Sequence, residues 1–132
     1  SKCSFIWFSD NYKHRLIWDY PKNVINTSNQ LNFEEFLALL SVCDLILCPD
    51  TSGMHLAEML KIPCLVLEGS TNVAFHTQYY TQISSIKLKK PLPCQPCYDW
   101  QKRTDCYQDK NAPWCLNQIR VKDVAQKIRA LI

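Results

Sequence analysis

The chain has 132 residues, 47% of them hydrophobic and 20% charged, a composition that suits one ordered globular domain with a real core. Its net charge of +3 is too mild to indicate nucleic acid by itself, and no apolar run approaches the ~20 residues that cross a bilayer. It opens on Ser1 and enters a strand almost at once, so it is expected to be a piece of something longer.

Cys3 to Phe8 reads as an aromatic-rich strand ending at the polar loop Ser9-Asp10-Asn11. Asp10 or Asn11 is placed to meet a ribose, although a plain turn is the commoner use of such residues. Tyr12 to Tyr20 forms a short helix or loop that Pro21 ends, and Val24-Ile25 a brief strand. Asn32 then caps a helix, with Glu35 three residues later as its reciprocal partner. Phe33, Phe36, Leu37, Leu40 and Val42 make the apolar stripe expected to pack on a sheet.

Leu45 to Leu67 is the organising stretch, with strand, polar turn, helix and second strand in quick succession. Two neighbouring strands apolar on both faces belong to a parallel sheet covered by helices, which makes the chain α/β and Rossmann-like. Its turn, Asp50-Thr51-Ser52-Gly53, lies at the sheet's carboxyl edge, where the helix start exposes N–H groups and the positive end of its dipole. An anion such as a phosphate is stabilised there. The plainer alternative has Thr51 or Ser52 capping the helix and Asp50 complementing the dipole. Asp50 would repel a phosphate in contact, so it suits neighbouring backbone N–H groups or a sugar hydroxyl. His55, one turn on, is either a helix-face side chain bonded to backbone or a donor to the same ligand.

Glu68 to Asn72 is a loop at the same edge, followed by His76, Tyr79 and Tyr80; a histidine in such a loop is more often structural. Ser84 to Leu88 is a further strand, and Val121 to Leu131 a closing amphipathic helix. Between them, residues 91–118 form a Cys-rich loop in which Cys94, Cys97, Cys106 and Cys115 follow the spacing C-x2-C-x8-C-x8-C. That spacing is open to a four-thiolate metal site or to two disulfides. Cys3, Cys43, Cys48 and Cys64 sit in apolar surroundings and read as buried reduced thiols, which favours a reducing cytoplasm and metal.

Asp50-Thr51-Ser52-Gly53-Met54-His55-Leu56-Ala57, with Cys43-Asp44-Leu45-Ile46 before it and Lys61-Ile62-Pro63 after it, resembles the donor-site signature of the heptosyltransferases, glycosyltransferase family nine. The family pattern is Asp-Thr-Gly-x-x-His-Leu-Ala; here Ser52 stands at the usual Gly and Gly53 falls one place later. Cys94-Gln95-Pro96-Cys97 through Cys115-Leu116-Asn117-Gln118-Ile119 resembles the family's Cys-x-Pro-Cys loop as well. The resemblance implies a single, partial Rossmann-like donor-binding domain over residues 1–132, the C-terminal half of a GT-B glycosyltransferase. It further implies an ADP-heptose or related nucleotide-sugar donor, a lipopolysaccharide-core or protein acceptor, and a separate N-terminal acceptor-binding domain carrying the general base. It adds Leu31 and Asn32 as nucleobase contacts and Ser70 and Thr71 as donor-loop contacts, leaves no catalytic residue in this chain, and leaves the chain alone inactive. In related enzymes acting on autotransporter adhesins a four-cysteine site holds iron, so iron stands beside zinc. The location implied is cytoplasmic, at the periphery of a bacterial inner membrane.

Two readings from other classes compete. The Cys loop with Lys87, Lys89, Lys90, Lys102, Arg103, Tyr98 and Trp100 is also the composition of a metal-knuckle module holding nucleic acid by phosphate contacts and stacking. A purely structural domain, with the loop as staple and the Asp50 turn as cap, is the other.

Overall fold

The computed structural model describes residues 4–9, 21–98, 106 and 113–132. Asp10 and Asn11, the Tyr12–Tyr20 segment and Cys3 therefore lie outside the described residues. The chain forms two compact units, Ser1–Leu39 and Leu40–Ile132.

In the first unit, β1 (Phe5–Trp7) pairs in parallel with β2 (Val24–Asn26), Phe5 opposite Val24 and Trp7 opposite Asn26. Beyond the strands, the backbone N–H of Thr27 (2.8 Å) and its hydroxyl (3.1 Å) both donate to the Trp7 carbonyl. The N–H of Asn29 reaches the Ser9 carbonyl at 3.0 Å. Asn29 takes a left-handed φ of 55°, which Asn tolerates better than most residues. The helix α1 (Phe33–Ser41) opens on the expected capping box: Glu35 N–H donates to Asn32 Oδ1 and Asn32 N–H to Glu35 Oε2, both at 2.9 Å. Phe36 stacks on Phe8 with ring centroids 4.0 Å apart.

The stripe of this helix is narrower than its sequence suggests. Phe36 and Leu37 are half-buried and Leu40 is buried, but Phe33 and Val42 are exposed. Phe33 begins the first turn, and Val42 lies past the last helical residue, where helical periodicity no longer sets its direction. Close to the end of β2, Ser28 is 1% exposed, and its hydroxyl has no hydrogen-bond partner among the described residues. Leaving such a group buried and unsatisfied costs free energy, so Ser28→Ala is expected to stabilise the fold by about 1 kcal/mol, read as a higher denaturant midpoint at unchanged slope.

The second unit contains β3 (Ile46–Pro49), α2 (Ser52–Leu60), β4 (Cys64–Leu67), α3 (Ala74–Thr77), β5 (Ile83–Ile86), α4 (Trp114–Asn117) and α5 (Val121–Arg129). The strands make a parallel sheet in the order β3-β4-β5, with Ile46 opposite Cys64 and Cys64 opposite Ile83. Cys64, Leu65 and Val66 of the central strand are fully buried, as are Met54 and Ala57 of α2. This is the βαβ arrangement the organising stretch predicts. The edge strand β3 departs from it, since its burial alternates: Ile46 is buried while Leu47 is 46% exposed. Face burial is set by what packs above and below a strand, so the expectation of two buried faces holds for β4 and fails for β3, whose Leu47 lies on a face the described residues leave open.

The cysteine expectations divide in the same way. Cys64 is buried, with its Sγ 3.8 Å from that of Cys48. That contact and burial push the Cys64 thiol up. Cys48 on the edge strand and Cys43, in the turn after α1, are only half-buried. The strand expected over 84–88 runs Ile83–Ile86, and the closing helix ends at Arg129. The four-residue helices α3 and α4 are too short to show a periodicity in sequence.

Candidate functional site

Parallel strands deliver the loops that follow them to one edge of the sheet. Here β3 delivers the Asp50-Thr51-Ser52-Gly53 turn, β4 the Glu68–Asn72 loop and β5 Lys87 and its successors. Thr51 occupies the N-cap position of α2 in extended backbone, φ −149°, yet its side chain makes no cap hydrogen bond. Its hydroxyl instead donates to the Pro49 carbonyl at 3.3 Å. Thr51 thus holds the N-cap position without a side-chain cap, and since Met54 N–H already donates to the Thr51 carbonyl at 3.2 Å, the Ser52 and Gly53 amides are the ones suited to an anion. Asp50 is half-buried, and Thr51, Ser52 and His55 are exposed. Gly53 needs neither a special backbone nor the space, since an added Cβ would meet Cys48 and Thr51 at an ordinary 3.5 Å.

The α2 helix fixes this turn against the strand beyond it. Glu58, one turn after His55, accepts the N–H of Thr81 and of Gln82, both at 2.8 Å, and the Lys61 ammonium at 2.7 Å. The Lys61 hydrogen bond, then the Gln82 and Thr81 amides, hold its carboxyl down at about 2 against a 4.5 reference, although burial opposes them. A depressed carboxylate contributes stability above its unfolded value and loses it as pH falls through the folded one. The Tm of the wild type is therefore expected to drop between pH 4.5 and about 2 more steeply than that of Glu58→Gln. Parallel Tm–pH curves for the two proteins would refute the assignment.

The Glu68–Asn72 loop is fastened to the cysteine knuckle. Gln95 Nε2 donates to the Gly69 carbonyl at 2.6 Å, and the N–H groups of Cys97 and Tyr98 both donate to the Ser70 carbonyl at 3.0 Å. Gly69 is buried, and a Cβ there would stand 2.9 Å from Leu116 Cδ2 and 3.3 Å from Cys115 Sγ, so the loop passes close to α4. Ser70 and Thr71 are half-buried. A cavity of about 130 Å³ opens here, with Glu68, Thr71, Asn72, Lys87 and Gln95 among its lining. The buried Glu68 accepts the Ser85 hydroxyl at 3.0 Å and the Lys87 ammonium at 3.3 Å, holding a cation at the sheet edge.

Cys94, Cys97, Cys106 and Cys115 carry thiols that no disulfide joins. Burial pushes the Cys97 thiol up, and the charges of Cys94, Cys115 and Cys106 add to this; Cys115 is raised by burial and, more weakly, by Cys106 and Cys94. The N–H of Trp114 donates to Cys106 Sγ at 3.4 Å. Among the described residues no group of three or more His, Cys, Asp or Glu stands where it could hold a metal ion.

The remaining expected residues lie in the first unit. Leu31 is half-buried, and Asn32 spends its side chain on the cap of α1. Asp10 lies outside the described residues. Sequence reasoning missed Glu58 and the partners that the fold supplies to Glu68, Lys87 and Gln95, and it gave no role to Tyr80, whose hydroxyl meets His55 Nδ1 at 2.7 Å. Among the described residues no helix is long and apolar enough to cross a membrane.

Residues 13–108 match the model of glycosyltransferase family 9 (heptosyltransferase). Lipopolysaccharide heptosyltransferase 1 of Pseudomonas aeruginosa is 31% identical over 94 residues, covering 63% of this chain and 25% of that protein. The chain thus spans about a quarter of that relative's length. No solved structure matches it.

Proposed function

The chain belongs to glycosyltransferase family 9, and from that premise we propose that it is the nucleotide-sugar-binding part of a GT-B glycosyltransferase. The observation that carries the reading is the Asp50–His55 segment, a helix start at the sheet's carboxyl edge with no side-chain cap, coinciding with the donor motif. In this reading the first-turn amides of α2 meet the donor diphosphate, with the Thr51 and Ser52 hydroxyls and His55 beside them. Asp50 accepts from a sugar hydroxyl rather than touching phosphate. Ser70 and Thr71 approach from the neighbouring loop; the family resemblance alone makes Leu31 and Asn32 nucleoside contacts, and the place of Asp10 in the sequence, just beyond the first strand, makes it another.

The donor is ADP-heptose or a related nucleotide sugar, and the acceptor a lipopolysaccharide core or a protein, engaged by an N-terminal domain that carries the general base. The name of the Pseudomonas relative supports heptose and lipopolysaccharide. The enzyme works in the cytoplasm at the inner membrane. Titrating ADP into labelled protein tests the donor site: amide shifts concentrated at residues 50–55 and 69–71 are expected, and shifts confined elsewhere would overturn it.

The spacing C-x2-C-x8-C-x8-C supports a single zinc or iron ion at the cysteine knuckle, where the Trp114 N–H donates to Cys106 Sγ. Cys94, Cys97, Cys106 and Cys115 would hold it, and its contribution is structural. Through Gln95, Cys97 and Tyr98 the knuckle sets the course of the Gly69–Ser70 loop.

A further inference from the structure

We propose that Tyr80 is a positioning residue for His55, donating its phenolic proton to Nδ1 and so fixing the tautomer that carries its proton on Nε2. What Nε2–H then meets rests on the donor-site reading above; the positioning itself rests on the geometry around α2.

Tyr80 Oη lies 2.7 Å from His55 Nδ1, and the two rings stand edge to face at 87° with centroids 5.7 Å apart. Tyr80 is held in place from both sides. Its own N–H donates to the Thr77 carbonyl at 2.9 Å. The next two residues, Thr81 and Gln82, give their N–H groups to Glu58, and the Thr81 hydroxyl joins them at 3.2 Å. His55 and Glu58 are three residues apart on one helix and so share a face. That face grips residues 80–82 at two points one turn apart, which aims the phenol at the ring.

The chemistry then selects the direction of the bond. A phenol O–H is a stronger acid than the N–H of a neutral imidazole, and an imidazole nitrogen lone pair is the better acceptor. The neutral pair is therefore most stable with Tyr80 donating and Nδ1 accepting, which leaves Nε2 protonated. That tautomer donates to an anionic oxygen; the other would turn a lone pair toward it. Tyr80 thereby suits His55 to a phosphate oxygen without touching the ligand itself.

Nitrogen-15 spectra of His55, taken well above the ordinary imidazole pKa of about 6.5, read the tautomer directly. In wild-type protein Nδ1 is expected unprotonated and Nε2 protonated. In Tyr80→Phe, which keeps the ring contact, the two forms should return to the mixture of a free imidazole. A wild-type ring protonated chiefly on Nδ1, or a Tyr80→Phe spectrum identical to wild type, overturns the proposal. ADP titration adds a second readout. Tyr80→Phe should weaken ADP binding about three- to tenfold, the loss of one hydrogen bond's orienting effect, and should add nothing in a His55→Ala background. An equal loss in that background means that Tyr80 acts on its own, which also overturns the proposal. If His55→Ala leaves ADP affinity unchanged while the tautomer is as expected, the donor-site reading fails at His55 and the positioning stands.

Discussion

Asp50→Ala and Thr51→Val, made in the complete enzyme, are each expected to lower turnover on the cognate nucleotide sugar by about a hundredfold, the scale set by losing one aligned polar group at a reacting phosphate or sugar. Stability should scarcely follow. The Thr51 hydroxyl makes an exposed hydrogen bond, 3.3 Å long, to the Pro49 carbonyl, also interacts with the Cys48 thiol and does not cap the helix, so its removal should cost only about 1 kcal/mol. Asp50 shifts the Cys48 thiol only as the last and least of several influences. The two effects separate cleanly in steady-state kinetics and thermal unfolding run on the same preparations. Unchanged turnover in both variants would remove residues 50–55 from the donor site.

Cys97→Ser should have the larger structural effect. With one of four thiolates gone, the ion proposed for the knuckle should be lost and with it about 5 kcal/mol of stability, a fraction of the ~10–16 kcal/mol that a complete site contributes in small zinc modules. Since the N–H of Cys97 holds the Ser70 carbonyl, the Gly69–Ser70 loop should loosen as well, and donor affinity should fall with stability. Elemental analysis of protein purified without added metal is expected to find one zinc or iron per chain. After chelation and denaturation all eight cysteines should titrate as thiols. Four thiols and no metal would mean two disulfides.

Local signals were legible in the sequence and distant ones were not. The capping box at Asn32 and Glu35 depends on a spacing of three residues and appears as expected. The β3-α2-β4 unit is equally local, and its run of four apolar residues at Cys64–Leu67 correctly announces a central strand. Leu47 misled because an apolar residue on an open face of a strand looks the same in sequence as one on a covered face. The partners of Glu58, His55 and Gln95 lie 23 to 26 residues away, and no periodicity links such positions. Only the parallel crossover brings them together. The donor motif itself was read from a resemblance, since a polar turn before a helix is by its residues equally a cap.

The register of β3, β4 and β5 carries a consequence for engineering. Pro49 stands opposite Leu67, and Leu67 opposite Ile86, so the three strands finish level. With neighbouring strands about 4.8 Å apart, the three loops rise from a straight sill roughly 10 Å wide. A level sill lets a loop be exchanged between relatives as a cassette, cut at the same height on either side, without re-registering a strand. The Glu68–Asn72 segment is the one that does not transplant alone, because its backbone is bonded to Gln95, Cys97 and Tyr98. A donor-swapping chimera would therefore have to carry that loop and the cysteine knuckle as one piece.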